Sequence, residues 1–167
     1  MLIILGGLPG TGKTTIAREL ARRLGGVHVR IDSIEQALRD SGIDANGIDD
    51  AGYRVGYAVA EDNLRLGRIV IADSVNPIAL SRDAWRDAAR RAGARALDVE
   101  VICSDAEAHR ARVESRLADI PGHRLPTWQD VVDREYQPWQ TERLVIDTAV
   151  VRVEQSVKLI RLRGGVA

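Results

Sequence analysis

The sequence predicts a three-layer α/β protein with a mostly parallel, five-stranded sheet. Three observations predict it. Five short apolar runs recur along the 167 residues, and stretches with apolar residues at helical spacing separate each run from the next. A glycine-rich turn joins the first run directly to the first helical stretch. Strands alternating with helices form right-handed crossovers, and so build parallel sheets covered on both faces.

Leu2–Leu5 reads as a short buried strand. The helix after the glycine turn puts Ile16, Ala17, Leu20, Ala21 and Leu24 on one stripe, with Arg18, Glu19, Arg22 and Arg23 outside it. Gly25-Gly26 stops that helix. In "VHVRID", Val27, Val29 and Ile31 alternate with His28, Arg30 and Asp32, which predicts a half-exposed edge strand ending at Asp32. Helices are expected from near Ser33 and over about Asp50–Leu66. The nearly continuous apolar run Arg68–Asp73 suits a central parallel strand.

Ser81–Gly93 is a helix, and Ala96–Cys103 a fourth strand. Ser104-Asp105-Ala106-Glu107 reads as a capping box opening a long arginine-rich helix. Ile120–Pro126 is a proline-flanked loop, Thr127–Tyr136 is helical, Arg143–Asp147 is the fifth strand and Val153–Arg163 the closing helix. No repeat, low-complexity tract or linker interrupts the chain. One domain over 1–167 is expected, with residues 105–140 as a subregion of it.

The 24 basic and 24 acidic side chains cancel, so no global field draws the chain to nucleic acid or anionic lipid. The single Cys103 forms no internal disulfide, which fits a reducing compartment. With the first strand beginning at Leu2 and no apolar run of roughly 20 residues, neither a leader nor a membrane span is expected. A cytoplasmic protein is the expectation. Lys13 and Lys158 are the only lysines among those basic residues. Arginine bias of that kind is a genome-level habit, but a lysine inside the glycine turn marks a position that needs a compact ammonium.

Gly7-Leu8-Pro9-Gly10-Thr11-Gly12-Lys13-Thr14 fits G-x-x-x-x-G-K-[ST] at every fixed position. Its glycines let successive amides point inward at phosphate oxygens, helped by the positive end of the helix that follows. Lys13 would reach the β- and γ-phosphates, and the Thr14 hydroxyl would ligate Mg²⁺. The motif lies between an apolar strand and an amphipathic helix, where that mechanism requires it. It predicts binding of a nucleoside triphosphate.

Ligands in a parallel sheet gather beyond the carboxyl ends of the strands, where Arg30 and Asp32 would point. Asp32 is the candidate to take the proton of an attacking hydroxyl or to hold a metal-bound water; capping by Asp32 or Ser33 is the competing reading. Asp73, closing the third strand, is the candidate Mg²⁺-side carboxylate, against a turn role. Asn76 is a candidate acceptor contact, or equally a turn residue before Pro77. Arg112 and Arg116, four apart on one helical face, would stack on a base and clamp phosphates as the next loop closes; a solvated helix paired through Glu107 and Glu114 is the alternative. Arg110 and Arg124 are weaker candidates. His28, His109 and His123 lack metal-ligand spacing and read as surface residues. Tyr53, Tyr57 and Leu64 could share a helix face near the acceptor site, with core packing as the preferred reading.

With these residues the chain resembles the P-loop kinase group, which includes shikimate, gluconate and adenylylsulfate kinases, chloramphenicol phosphotransferase and zeta-toxin-like kinases. The resemblance covers nearly the whole chain, and its phosphate loop is of the kind AAA-type ATPases also carry. "GLPGTGKTT" implies ATP contacts by Gly7, Pro9, Gly10, Thr11, Gly12, Lys13, Thr14 and Thr15. "VRIDSIEQAL" resembles the second strand whose acid, here Asp32, meets the acceptor hydroxyl. "RVESR" and the loop after it resemble the lid, about 117–127, which implies Arg112 on adenine and a catalytic Arg116 on phosphate. "VIDTA" resembles the segment lining the adenine pocket, which implies Asp147 and Thr148. The same resemblance implies strand order 2-3-1-4-5. "DSVNP" replaces the triple-glycine loop of shikimate kinase, so the acceptor is open.

An AAA-type motor would carry a further helical domain, and a GTPase an N-K-x-D segment. The length and the sequence argue against both. The expected function is transfer of the γ-phosphoryl of ATP, with Mg²⁺, to a hydroxyl of a metabolite or antibiotic. The alternatives are a polynucleotide 5′-hydroxyl kinase, against which the balanced charge and 4% aromatic content argue, and a non-catalytic ATP-binding regulatory module.

Overall fold

The computed structural model describes residues 1–42 and 50–166. The five predicted strands are present as β1 (Leu2–Gly6), β2 (Val27–Arg30), β3 (Val70–Asp73), β4 (Ala96–Ile102) and β5 (Leu144–Asp147). They form one all-parallel sheet in the order β2-β3-β1-β4-β5. Seven helices are present among the described residues: α1 (Lys13–Leu24), α2 (Ile31–Asp40), α3 (Ala51–Arg65), α4 (Ala79–Arg91), α5 (Ala106–Ser115), α6 (Trp128–Val132) and α7 (Val153–Gly164). None is long and apolar enough to cross a membrane.

The pleat of β1 divides the core. Ile3 and Leu5 pack with Ile16 and Leu20 of α1 and with Val157 and Ile160 of α7. Leu2 and Ile4 face the other way, onto Ala60 and Leu64 of α3 and Trp85 and Ala89 of α4. Each fully buried side chain of this size contributes about 1.5–3 kcal/mol, so the central strand anchors both layers. The register sets Asp73 of β3 beside Leu5 on one side and Arg30 of β2 on the other, at the carboxyl end of the sheet.

Several boundaries differ from the sequence reading. Strand β3 opens at Val70 rather than Arg68, α4 spans Ala79–Arg91 rather than Ser81–Gly93, and α6 spans Trp128–Val132 rather than Thr127–Tyr136. The ends of β2 and α5 also differ, and these bear on the site. The alternating pattern runs on to Asp32, yet β2 stops at Arg30 and Ile31 opens α2. Ile31 is buried in the layer of α3 and α4, close against Gly56, which a continued strand would not reach. Asp32 therefore sits in the first turn of α2, and the cap position is Arg30, so neither Asp32 nor Ser33 serves as the cap. Helix α5 is capped by Asp105, whose carboxylate accepts the Ala108 amide at 2.9 Å, and not by Ser104. It ends at Ser115; Arg116 is already extended (ψ 142°), so Arg112 and Arg116 do not share a helical face.

Buried Arg82 fastens the turn after β3. Its guanidinium donates to the carbonyls of Asn76 (2.8 Å), Pro77 (3.0 Å), Gln137 (2.6 Å) and Pro138 (3.3 Å), and lies over the rings of Trp139 and Tyr136. One side chain thus locks two loops to α4 beside the site.

Candidate active site

A cleft of about 1060 Å³ opens beyond the carboxyl ends of β1, β2 and β3 and is floored by the glycine turn. Gly7 holds φ 143°, and a Cβ there would overlap the Val101 carbonyl oxygen, so no larger residue fits. Its amide donates to Val75 O at 3.0 Å, tying the turn to the end of β3. Gly12, at φ 97°, swings the chain into α1. Among the described residues, the amides of Gly10, Gly12, Lys13, Thr14 and Thr15 have no protein acceptor. A row of free N–H groups at a helix start is an anion cradle.

The Lys13 side chain is 7% exposed, and its Nζ donates to Leu8 O at 2.8 Å. Burial pushes its ammonium down to about 8; the charges of Asp73 and Asp32 oppose that shift, and those of Arg116 and Arg134 add to it. An ammonium so poor in partners gains most from a polyphosphate.

Asp73 is 3% exposed and meets His28 Nε2 at 3.1 Å. Thr14 lines the same cleft, and its hydroxyl makes no hydrogen bond among the described residues. Mg²⁺ prefers hard oxygens, takes one or two from protein and the rest from phosphates and water. No cluster of three or more His, Cys, Asp or Glu occurs among the described residues, so a metal held mainly by protein is not indicated. A free hydroxyl and a carboxylate beside an anion cradle fit Mg²⁺, and Thr14 and Asp73 are the residues that would hold it.

Asp32 also lines the cleft. Its carboxylate is 37% exposed, makes no hydrogen bond among the described residues, and has the Arg30 guanidinium 3.6 Å away. Arg30 lines the cleft but is only 7% exposed, and its fork is engaged: Nη1 and Nη2 donate to Asp119 at 2.8 and 3.1 Å. Asp119, which Arg18 also grips, lies in the segment between α5 and α6, and these guanidinium donors hold its carboxyl far below the usual range. Glu35, Arg39, Tyr53 and His123 complete this end of the cleft. Burial pushes the Glu35 carboxyl up, with Arg39 opposing.

Asn76 is not an acceptor contact. It is fully buried: Nδ2 donates to Leu5 O at 2.9 Å, Oδ1 accepts from Trp85 Nε1 at 3.1 Å, and its φ of 51° belongs to the turn Arg82 secures. Asp147 shapes the loop after β5, accepting the amides of Ser104 and Ala149 at 3.0 Å each; the Ser104 side chain first, then these amides, lower its pKa. Thr148 bridges Arg112 and the glycine turn: its Oγ1 accepts from Arg112 Nη1 at 2.8 Å and lies 2.9 Å from Thr11 O. Pro9, Arg112 and Arg116 line the cleft, while Thr11 is buried beneath it.

Sequence reasoning did not assign Glu35, Arg39 or His123 to the site, although all three line the cleft, and three further residues are informative. Buried His109 meets Pro9 O at 2.7 Å and lies edge-on to Trp128, so it is not a surface residue. Arg134 and Asp119 enter the cleft through tertiary folding, and no spacing rule points to either.

A family model described as an AAA domain matches residues 2–134. The chain belongs to the AAA domain family. It is 34% identical over 120 residues to the uncharacterized protein Rv2004c of Mycobacterium tuberculosis, a match covering 69% of this chain and 22% of that one. The chain thus spans about a fifth of the length of that curated relative. The fold of this AAA domain recurs in the Mycobacterium tuberculosis APS kinase CysC, solved with AMPPNP and APS (TM-score 0.71, 17% identity, 95% of this chain and 94% of that one). It recurs as well in Chaetomium thermophilum Kti12, solved with ADP-AlF3 (TM-score 0.71, 21% identity, 100% of both chains).

Proposed function

We propose that this AAA domain is a P-loop kinase that transfers the γ-phosphoryl group of ATP to a hydroxyl of a small molecule. The observation that carries the reading is the pairing of two features in one cleft. The free amides and buried Lys13 form a polyphosphate cradle, and Asp32 stands near enough for its charge to act on Lys13. A binding module needs the first feature and has no use for the second. The likeness in fold to a kinase solved with an ATP analogue and a small acceptor supports the same reading.

In this reading the amides from Gly10 to Thr15 and the Lys13 ammonium hold the β- and γ-phosphates. Mg²⁺ on Thr14 and Asp73 supplies further charge neutralisation when bound. Arg112, fixed on Thr148, covers the adenine side, and Arg116 faces the transferring group. The acceptor oxygen attacks the γ-phosphorus in line, the bond to the β–γ bridging oxygen breaks, the hydroxyl proton passes to Asp32, and ADP leaves. Segment 117–127 acts as the lid that keeps water out. Catalysis here is positioning and charge stabilisation.

Labelled ATP offered against hydroxylated metabolites and antibiotics tests the proposal. Label should appear on a small acceptor, and Asp32→Asn should cut transfer by a factor of about 10² or more while ATP affinity stays within a few-fold. ADP release stimulated only by single-stranded DNA or RNA would replace the small acceptor with a polynucleotide. Bound ATP without turnover would leave a regulatory module.

A further inference from the structure

The Asp32 carboxylate is unusual in having no donor among the described residues although a guanidinium lies 3.6 Å away. A guanidinium and a carboxylate so close ordinarily close into a short forked pair, which would leave a poor proton acceptor. Arg30 instead forks onto Asp119, with Nη1 at 2.8 Å and Nη2 at 3.1 Å. This fixes the plane of its guanidinium, so that Nη2 stops 3.6 Å from the Asp32 carboxylate, and its buried Nε has no partner among the described residues. The carboxylates whose charge Arg30 feels are Asp119, Asp32 and Asp73. Asp73 is engaged with His28. Without Asp119, Asp32 is the nearest carboxylate left to the Arg30 fork.

We propose that Asp119 is a positioning residue for phosphoryl transfer: it draws the Arg30 fork onto itself and so leaves the Asp32 carboxylate free to accept the acceptor's proton. The inference rests on the kinase reading and adds a second consequence. Asp119 belongs to the segment between α5 and α6, and it also binds Arg18 of α1. It can hold Arg30 only while that segment lies over the cleft. Closure and the readiness of Asp32 are therefore one event, and the base is masked by Arg30 while the segment is lifted.

The test uses the whole chain with MgATP, read as steady-state ADP release with water in the acceptor's place, together with melting temperatures. Asp119→Asn should lower kcat about tenfold with the KM for ATP changed less than about threefold, since only proton acceptance is impaired. Adding Arg30→Gln should restore most of the lost kcat, because the masking charge is gone. A merely structural tie would give the opposite, a double variant slower than either single one. Unchanged kcat in Asp119→Asn, or a double variant no faster than it, overturns the inference. If Asp119→Asn does not fold, Arg30→Gln alone decides: kcat kept or raised supports the inference, and a tenfold fall overturns it. A protein that binds MgATP but turns it over neither with water nor with any hydroxylated acceptor offered contradicts the kinase reading and the inference together, whereas turnover with failed rescue removes the inference alone.

Discussion

His109 Nε2 lies 2.7 Å from the carbonyl oxygen of Pro9, so α5 is fastened directly to the phosphate loop. The carbonyl can only accept, which puts a proton on Nε2. The Trp128 ring meets the imidazole edge-on at 5.2 Å, bringing α6 into the same contact. Through His109 the helix carrying Arg112 is tied to the loop that leads into Lys13.

Replacing His109 by alanine should therefore act on both stability and binding. Loss of a buried ring and its hydrogen bond should cost about 2 kcal/mol, visible as a lower melting temperature. The KM for ATP should rise with it, because Pro9 and Gly10 lose their support. A variant with native stability and native KM would remove His109 from the site's scaffold.

Gly7→Ala tests the backbone geometry of the cradle. The added methyl meets Val101 O at a φ of 143°, so the loop must shift or strain by about 1–3 kcal/mol. Nucleotide affinity should fall at least tenfold, with Thr14→Ala as the comparison that leaves the backbone path intact. Titration calorimetry with a nonhydrolysable ATP analogue measures both.

Much of the fold was legible because its signals are local. Continuous apolar strands, the Gly25 stop and the Gly-x-x-x-x-Gly-Lys-Thr turn each follow from short-range chemistry, and the strand order matched the resemblance. The errors share one cause. Ile31 kept the alternating pattern of a strand, but packing beside Gly56 and Trp85 bends the chain into α2 there. Asn76 looked like an available amide because its partners, Leu5 and Trp85, are distant in sequence or on another element. Arg30 does line the cleft, but its grip on Asp119, 89 residues away, is invisible to any window. Polar pairs between distant segments are set by the tertiary fold, and one sequence carries no record of them.

Lys13 makes the site sensitive to pH. Burial lowers its folded pKa from 10.5 to about 8. Below about pH 8 the buried ammonium stays charged, and its desolvation opposes folding of the nucleotide-free protein. Between about 8 and 10.5 the unfolded chain binds more protons than the folded one, so stability of that form rises with pH across this window. A bound triphosphate draws the pKa back up. Binding should thus take up a proton near pH 8, and affinity should fall by up to about tenfold per pH unit above it. Calorimetry in buffers of different ionisation heat checks this, and Lys13→Ala should abolish the proton uptake.

The central claim is that free amides and one buried ammonium at the end of β1 grip a triphosphate. A crystal structure with a nonhydrolysable ATP analogue and Mg²⁺ tests it most directly. The phosphates should lie against the amides of Gly10–Thr15 with Lys13 Nζ turned from Leu8 O onto a phosphate oxygen. A nucleotide seated elsewhere, with Lys13 still bonded to Leu8 O, would contradict the account.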